Sequence, residues 1–290
     1  MGNNHTTYRR WGNGGKADNR QADRTPPAYG RAAQPDRDDS AENGAVGGRN
    51  AVRELLRCGR TIDKIFVQKG EREGSVTVLV AQALDRKIPV IEVQRTKLDG
   101  LCPGINHQGI VAMAAQKEYV TVEDLLQIAQ ERGEPPFLIV ADNLNDPHNL
   151  GALIRCAEGA GAHGLILPKR HSAGISPAVV KASAGAVEHM AIAKVPNLTA
   201  VLKKLQERGV WVYAAEADGT AYYETDFRSG CALVFGSEGE GVSPLVRKTC
   251  DFVVSIPMYG QVNSLNVSTA AAVIMNEARR QRGVPQIKHL

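Results

Sequence analysis

The sequence predicts an α/β fold: a parallel sheet flanked by helices in the second half of the chain, a smaller α/β unit ahead of it, and a soft N-terminal tail. Three observations predict this. Between residues 137 and 257, short runs that are apolar almost throughout alternate with helical stretches, the pattern of strands buried on both faces. Between 49 and 115, shorter patterns alternate in the order α-β-α-β-α-β. The first 45 residues contain no Val, Ile, Leu or Phe, and Val46 is the first of any of these. A segment without large aliphatic side chains cannot offset the entropy of ordering its backbone. The expected division is therefore a disordered tail over 1–45, a small unit over 46–116, a linker helix over 117–134 and a parallel-sheet domain over 135–290.

In the small unit, RNAVRELLR at 49–57 sets Val52, Leu55 and Leu56 on one helical face. DKIFVQ at 63–68 reads as a strand, SVTVLVAQALDRK at 75–87 as a helix and IPVIEV at 88–93 as a strand. KLDGLCPG is a short helix or turn, and QGIVAMAA at 108–115 closes the unit as a strand. In the linker, Thr121 with Asp124 three residues on is a helix N-cap signal, and Gly133 with Pro135 and Pro136 ends that helix.

The strands of the large domain are FLIVA (137–141), GLILP (164–168), MAIAKV (190–195), VWVYAAE (210–216), CALVFG (231–236) and FVVSIP (252–257). Helices are expected at LGALIRCAEGAGA, PAVVKASAGAV, LTAVLKKLQERG and PLVRKTC. The last helix, NVSTAAAVIMNEARRQR, is rich in Ala, and Arg279, Arg280 and Arg282 at its end complement the helix dipole.

Composition removes several classes. The 43% hydrophobic and 23% charged content excludes a collagen, a coiled-coil rod and wholesale disorder. The five cysteines (58, 102, 156, 231 and 250) form no CxxC pair, which argues against a disulfide framework or a zinc ribbon. The histidines show no HExxH spacing, so no metal is expected. No apolar run has the roughly 18 residues of a membrane span, and the first residues lack the apolar core of a secretory signal. A reduced, cytoplasmic protein without membrane contact is the expectation. Thr6 stands where a myristoylation signal on Gly2 needs a hydroxyl, a degenerate match read as coincidence. The net charge of +4 permits a nucleic-acid partner without demanding one. In the tail, RRWGNGGK could touch RNA phosphates with Tyr8 or Trp11 stacking on bases. Its seven basic and six acidic residues nearly cancel, so a solvated extension is the simpler reading.

Two glycine-rich stretches invite a nucleotide-binding reading and fail it. GAGAHG at 159–164 matches GxGxxG, but a helix precedes it and a strand follows, the reverse of the dinucleotide fingerprint. GSEGEG at 236–241 follows a strand, yet it carries Glu238 and Glu240 and no Lys, which suits no phosphate. Neither GxxxxGK[ST] nor GxSxG occurs. Glycine-rich loops at strand ends that carry carboxylates favour a neutral or cationic ligand, and S-adenosylmethionine, with a sulfonium, an ammonium and no phosphate, is such a ligand.

Three segments stand out together: NLNDPHNLGALIRCAEGAGAHGLIL (143–167), LVFGSEGEGVSPLV (233–246) and SIPMYGQVNSLNVSTAAAVIMNE (255–277). In order and spacing they resemble the three motifs of the SpoU-type (SPOUT) RNA ribose 2'-O-methyltransferases. The third, IPM followed by SLNVSxAxA, is the most specific. The small unit, with GRNAVRELL at its start and HQGIVA at its end, more weakly resembles the ribosomal-protein-like RNA-binding domain of members that act on large-subunit ribosomal RNA.

The resemblance implies a C-terminal deep trefoil knot, a homodimer, and S-adenosylmethionine held in the knotted loops. It implies cofactor contacts at Gly236, Glu238, Gly241, Ile256, Met258, Ser264 and Leu265. It implies that Arg155 stands near the 2'-hydroxyl and its phosphate, with Asn149 orienting Arg155 or the substrate, Glu238 pairing with an arginine or steadying the loops, and Ser264 and Asn266 hydrogen-bonding around the cofactor and Arg155. A guanidinium hardly ever loses its proton, so phosphate anchoring and hydroxyl polarisation suit Arg155 better than a role as base. Asn149 and Asn266 also stand where helices begin, as capping residues would. Cys156 reads as a small packing residue. The implied activity is 2'-O-methylation of RNA, foremost of a guanosine in 23S ribosomal RNA. The alternatives are a tRNA methyltransferase, a resistance-type ribosomal methyltransferase acting on adenosine, and a non-catalytic RNA-binding or ribosome-assembly factor on the same fold.

Overall fold

Apolar runs of five residues with both faces covered have one stable arrangement, a central parallel sheet between helical layers. The computed structural model describes residues 44–70, 74–115 and 117–283. Six strands form the large sheet: β5 (Phe137–Ala141), β6 (Gly164–Pro168), β7 (Ile192–Val195), β8 (Trp211–Ala221), β9 (Cys231–Phe235) and β10 (Phe252–Ser255). Their order is β10-β8-β9-β5-β6-β7, and every neighbouring pair is parallel. Side chains alternate between the two faces. Phe137, Ile139, Leu165, Leu233 and Phe235 pack with Leu153 and Ile154 of α5 (Pro147–Gly159) and with Ile274 and Met275 of α9 (Val267–Gln281). Leu138, Val140, Ile166, Ala232 and Val234 pack on the opposite face with Leu125 of α4 (Val122–Glu131), Leu202 and Leu205 of α7 (Leu198–Glu207) and Val246 of α8 (Pro244–Thr249).

The Thr121 cap forms as a full capping box: the Thr121 hydroxyl accepts from the Asp124 N–H, and the Asp124 carboxylate accepts from the Thr121 N–H. The helix it starts joins the two sheets in the chain and also lies on the large one, with Leu125 and Ala129 fully buried.

The small sheet has the order β1-β4-β2-β3, from β1 (Ala45–Gly47), β2 (Ile62–Gln68), β3 (Val90–Val93) and β4 (Ile110–Ala114). It is mixed: β4 runs antiparallel to β1 and β2, while β2 and β3 are parallel. Leu55 and Leu56 of α1 (Arg49–Arg57) and Leu79 and Ala83 of α2 (Gly74–Asp85) pack with Ile65, Val67, Ile110 and Ala112. Leu98 of α3 (Arg95–Leu101) covers Val111 on the other face. The α-β-α-β-α-β reading lacks β1, which the structure adds at the edge. Ala45, which the sequence reading leaves in the tail, is its first residue and is buried. The rest of that tail, residues 1–43, lies outside the described residues.

One apolar cluster runs through both sheets, from Val52 and Leu55 to Val179 of α6 (Pro177–Ala182) and on to Val187. A polar junction lies beside it. Glu188 has a side chain with no solvent exposure, and Arg60 Nη1 donates to its Oε2 at 2.5 Å. Arg60 Nη2 also donates to the Ala115 carbonyl, Lys117 Nζ donates to the Glu188 carbonyl at 3.3 Å, and His189 meets Glu54 at 3.0 Å.

At the entry to β5, His163 is buried, and its Nδ1 accepts from the Phe137 N–H at 2.9 Å. Its proton therefore sits on Nε2, which lies 3.5 Å from Glu134 Oε2. Burial, with the Arg132 charge beside it, pushes its pKa down to about 4. The native state thus holds His163 neutral over a range where the unfolded chain protonates it. Stability is full above the ordinary histidine value of about 6.5 and falls by up to about 3 kcal/mol as the pH drops to about 4. Urea midpoints measured across that interval should fall for the wild type. They should fall less for His163→Asn, whose amide oxygen can replace Nδ1 as acceptor; equal slopes would refute this assignment.

Candidate functional site

In a parallel sheet all strands point one way, so the loops at their C-terminal ends share one edge, where ligands of open α/β sheets bind. Here the loops after β9 and β10 meet the middle of β8. They border a cleft of about 630 Å³, lined by Ala215–Ala217, Phe235–Gly239, Gly241, Val254, Ile256, Met258 and residues 263–267, with Ala270 and Ile274 of α9 behind. The lining contains Gly236, Glu238, Gly241, Ile256, Met258, Ser264, Leu265 and Asn266, all singled out by the sequence; Asn149 and Arg155 are outside it.

The loop after β9 turns back on itself: Ser237 N–H donates to the Gly241 carbonyl at 3.1 Å and Gly241 N–H to the Ser237 carbonyl at 3.0 Å. A side chain on Gly236 would overlap the Gly241 backbone, and Gly241 adopts φ +68°, so both positions require glycine. Two carboxylates, one within β8 and one directly after β5, hold the end of this loop. Glu216 accepts the Val242 N–H at 2.5 Å, and the buried Asp142 accepts the Ser243 N–H at 2.8 Å. Their charges are also felt by the half-buried Cys250, whose thiol is pushed up to about 12 by burial and by Asp251, Asp142 and Glu216. The sequence reading names neither Glu216 nor Asp142. For Asp142 a signal existed: it is the polar residue that directly ends the FLIVA run.

The third segment crosses the top of the cleft without regular structure from Ile256 to Asn266 and then enters α9. Asn266 is the N-cap of that helix, its Oδ1 accepting from the Ser268 N–H at 2.9 Å. Its amide Nδ2 donates to Asn149 Oδ1 at 3.1 Å and also to Glu238 Oε1. One side chain thus ties all three segments together. Asn149 is not a cap; Asp146 caps α5 by accepting the His148 N–H, and Asn149 sits in the first turn, free to meet Asn266. Ser264 lines the cleft, exposed, with no hydrogen-bond partner among the described residues. Arg155 stands farther along α5, exposed and without an ion-pair or hydrogen-bond partner among the described residues. Its neighbour Cys156 donates its thiol to the Ser268 carbonyl at 3.5 Å, joining α5 to α9 as a packing residue.

The cleft's chemistry is specific. Its lining contains Glu216 and Glu238 but no Lys, Arg or His, and Val254, Ile256, Leu265 and Ile274 supply apolar surface. That suits a ligand with a flat apolar part and positive charge, and it disfavours phosphate. Among the described residues no group of three or more His, Cys, Asp or Glu side chains is arranged to hold a metal ion. No helix among them is long and apolar enough to cross a membrane.

Comparison with known proteins gives consistent likenesses. Residues 136–276 match the model described as the SpoU rRNA Methylase family, and residues 45–120 match that for RNA 2'-O ribose methyltransferase substrate binding. The Bacillus subtilis protein YacO, named for the TrmH family of tRNA/rRNA methyltransferases, is 41% identical over 244 residues, covering 84% of this chain and 98% of its own. The SpoU methyltransferase AviRb from Streptomyces viridochromogenes, solved with the cofactor AdoMet, superposes with a TM-score of 0.67 at 25% identity, over 82% of this chain and 90% of that one. An AdoMet-bound rRNA methyltransferase from Sinorhizobium meliloti superposes with a TM-score of 0.66 at 26% identity, over 83% and 88%.

Proposed function

The chain belongs to the SpoU rRNA methylase family, and on that premise we propose that it transfers a methyl group from S-adenosylmethionine to a ribose 2'-hydroxyl of 23S ribosomal RNA, at a guanosine. It is an RNA 2'-O-ribose methyltransferase. The observation that carries the cofactor is the cleft itself: apolar walls, a lining without Lys, Arg or His, and a glycine pair where backbone must approach a ligand closely. S-adenosylmethionine fits that donor set, having a sulfonium, an ammonium, an adenine and no phosphate. When bound, it supplies an electrophilic methyl group.

The protein's own residues do the rest. Asn266, Asn149 and Glu238 fix the three segments relative to one another. Gly236, Gly241, Ile256, Met258, Ser264 and Leu265 border the cofactor. Arg155 anchors a phosphate of the RNA and polarises the hydroxyl, so that the oxygen is held in line for displacement. The small sheet grips the RNA, in keeping with its match to a substrate-binding model. The 23S assignment rests on that added domain.

A homodimer suits the exposed apolar side chains Tyr223, Met258, Tyr259, Val262 and Leu265 around the cleft. A trefoil knot suits the path from β10 at the sheet edge back across to α9, which packs on α5. Cytoplasmic residence goes with the RNA substrate and with five cysteines that remain free thiols.

The test is methylation of 23S ribosomal RNA and tRNA transcripts with S-adenosylmethionine, followed by mapping of methylated riboses. A methylated guanosine in the 23S transcript is expected. Methylation of tRNA alone overturns the ribosomal target. No calorimetric binding of S-adenosylmethionine together with no product in either RNA overturns the enzymatic reading in favour of an RNA-binding factor.

A further inference from the structure

Strand β8 pairs with β10 at Tyr213–Phe252 and Ala214–Val253, and the ladder resumes only at Thr220–Val254. Residues 215–219 therefore bulge out of the β8–β10 ladder, although Ala215 still pairs with Phe235 of β9. The bulge is pinned at three points. Ser255 Oγ donates to the Gly219 carbonyl at 2.8 Å, Nη2 of Arg247 in α8 donates to both carboxylate oxygens of Asp218 at 2.7 and 2.9 Å, and Glu216 Oε1 accepts the Val242 N–H at 2.5 Å. Glu216 also fits closely under the loop: a methyl group at position 241 would stand 2.6 Å from the same oxygen. The loop held in this way carries Glu238, which reaches Asn266, and Gly236, which borders the cleft.

We propose that Glu216 is a positioning residue for cofactor binding: its carboxylate is a strap that fixes the Gly236–Val242 loop in its binding shape. This rests on the reading of the cleft as the S-adenosylmethionine site. The strap works through reach and hydrogen-bond acceptance. A direct role would instead work through negative charge acting on the cofactor's sulfonium.

Two mild variants separate these. Glu216→Gln keeps the reach and an acceptor oxygen but removes the charge. Glu216→Asp keeps the charge but is one methylene too short to reach Val242. The probes are S-adenosylmethionine and S-adenosylhomocysteine, which lacks the sulfonium charge, titrated by calorimetry into the full chain. A lost hydrogen bond to a charged acceptor predicts that Glu216→Asp weakens both ligands alike by about tenfold, and that Glu216→Gln weakens both by less than about threefold. Hydrogen exchange over residues 236–243 should rise in the Asp variant and stay near wild type in the Gln variant. Glu216→Asp binding both ligands like the wild type overturns the strap. So does Glu216→Gln losing affinity for S-adenosylmethionine alone. A wild-type chain that binds neither ligand refutes the cofactor reading itself, a result distinct from either.

Discussion

Replacing Arg155 with alanine should lower turnover by about 10²–10³-fold, the usual cost of removing one preorganised charged donor from a reacting centre. Affinity for S-adenosylmethionine should stay within about twofold, because Arg155 lies outside the cleft lining. Most arginines of the folded chain have carboxylates or carbonyls to meet: Arg228 pairs with Asp226, Arg247 with Asp218, Arg280 with Glu277, and Arg282 reaches the carbonyls of Phe227 and Ser229. Arg155 has no such partner among the described residues and is exposed to water. An always-charged planar fork in that position is suited to a phosphodiester. Single-turnover rates and calorimetric affinities, measured on the same preparation, check the split. Arg155→Lys should recover part of the rate, since it keeps the charge and loses the fork. Near-normal turnover in the alanine variant would refute the role.

The second large effect concerns stability. Arg60→Met leaves the Glu188 carboxylate without its guanidinium in a place where it has no solvent exposure. Removing one partner of a buried pair typically costs about 3–5 kcal/mol, more than the pair itself contributes. Lys117 is a poor substitute, since it meets the Glu188 backbone rather than the carboxylate, and burial already holds its pKa below the ordinary lysine value. The measurement is urea unfolding of Arg60→Met, Glu188→Gln and the double variant. The double variant should be clearly more stable than the sum of the single losses predicts, since removing the charge removes the penalty. Strict additivity would mean that Arg60 and Glu188 do not act as a pair.

The sequence made much of this fold legible, for a physical reason. FLIVA and CALVF are central strands covered on both faces, so every residue in them had to be apolar. Thr121 with Asp124 announced a helix start because both groups of the capping box lie within one turn. Elements whose logic is not local were illegible. The three residues of β1 are too few to show a period, and they owe their strand to β4, far along the chain. β8 runs on to Ala221, past the end of VWVYAAE at 216, because β10 resumes pairing with it there. In the site, the long third segment marked Ser264, Leu265 and Asn266. Glu216 left no such mark, and Asp142 only its place at the end of the FLIVA run, because the N–H groups they accept lie 26 and 101 residues away. A lone carboxylate carries no spacing to recognise.

The unbroken apolar core between the two sheets has a consequence for how substrate is chosen. A grip on one flexibly tethered module would raise local concentration and leave the choice of nucleotide to the chemistry. On the proposed function, the small sheet that grips the RNA and the cleft share one packed core, so the separation between them is set by the fold. The protein is then a caliper: an RNA is accepted when the distance from its docking feature to its reactive ribose matches the setting, and inserting one nucleotide between them should count against a substrate more than changing a base.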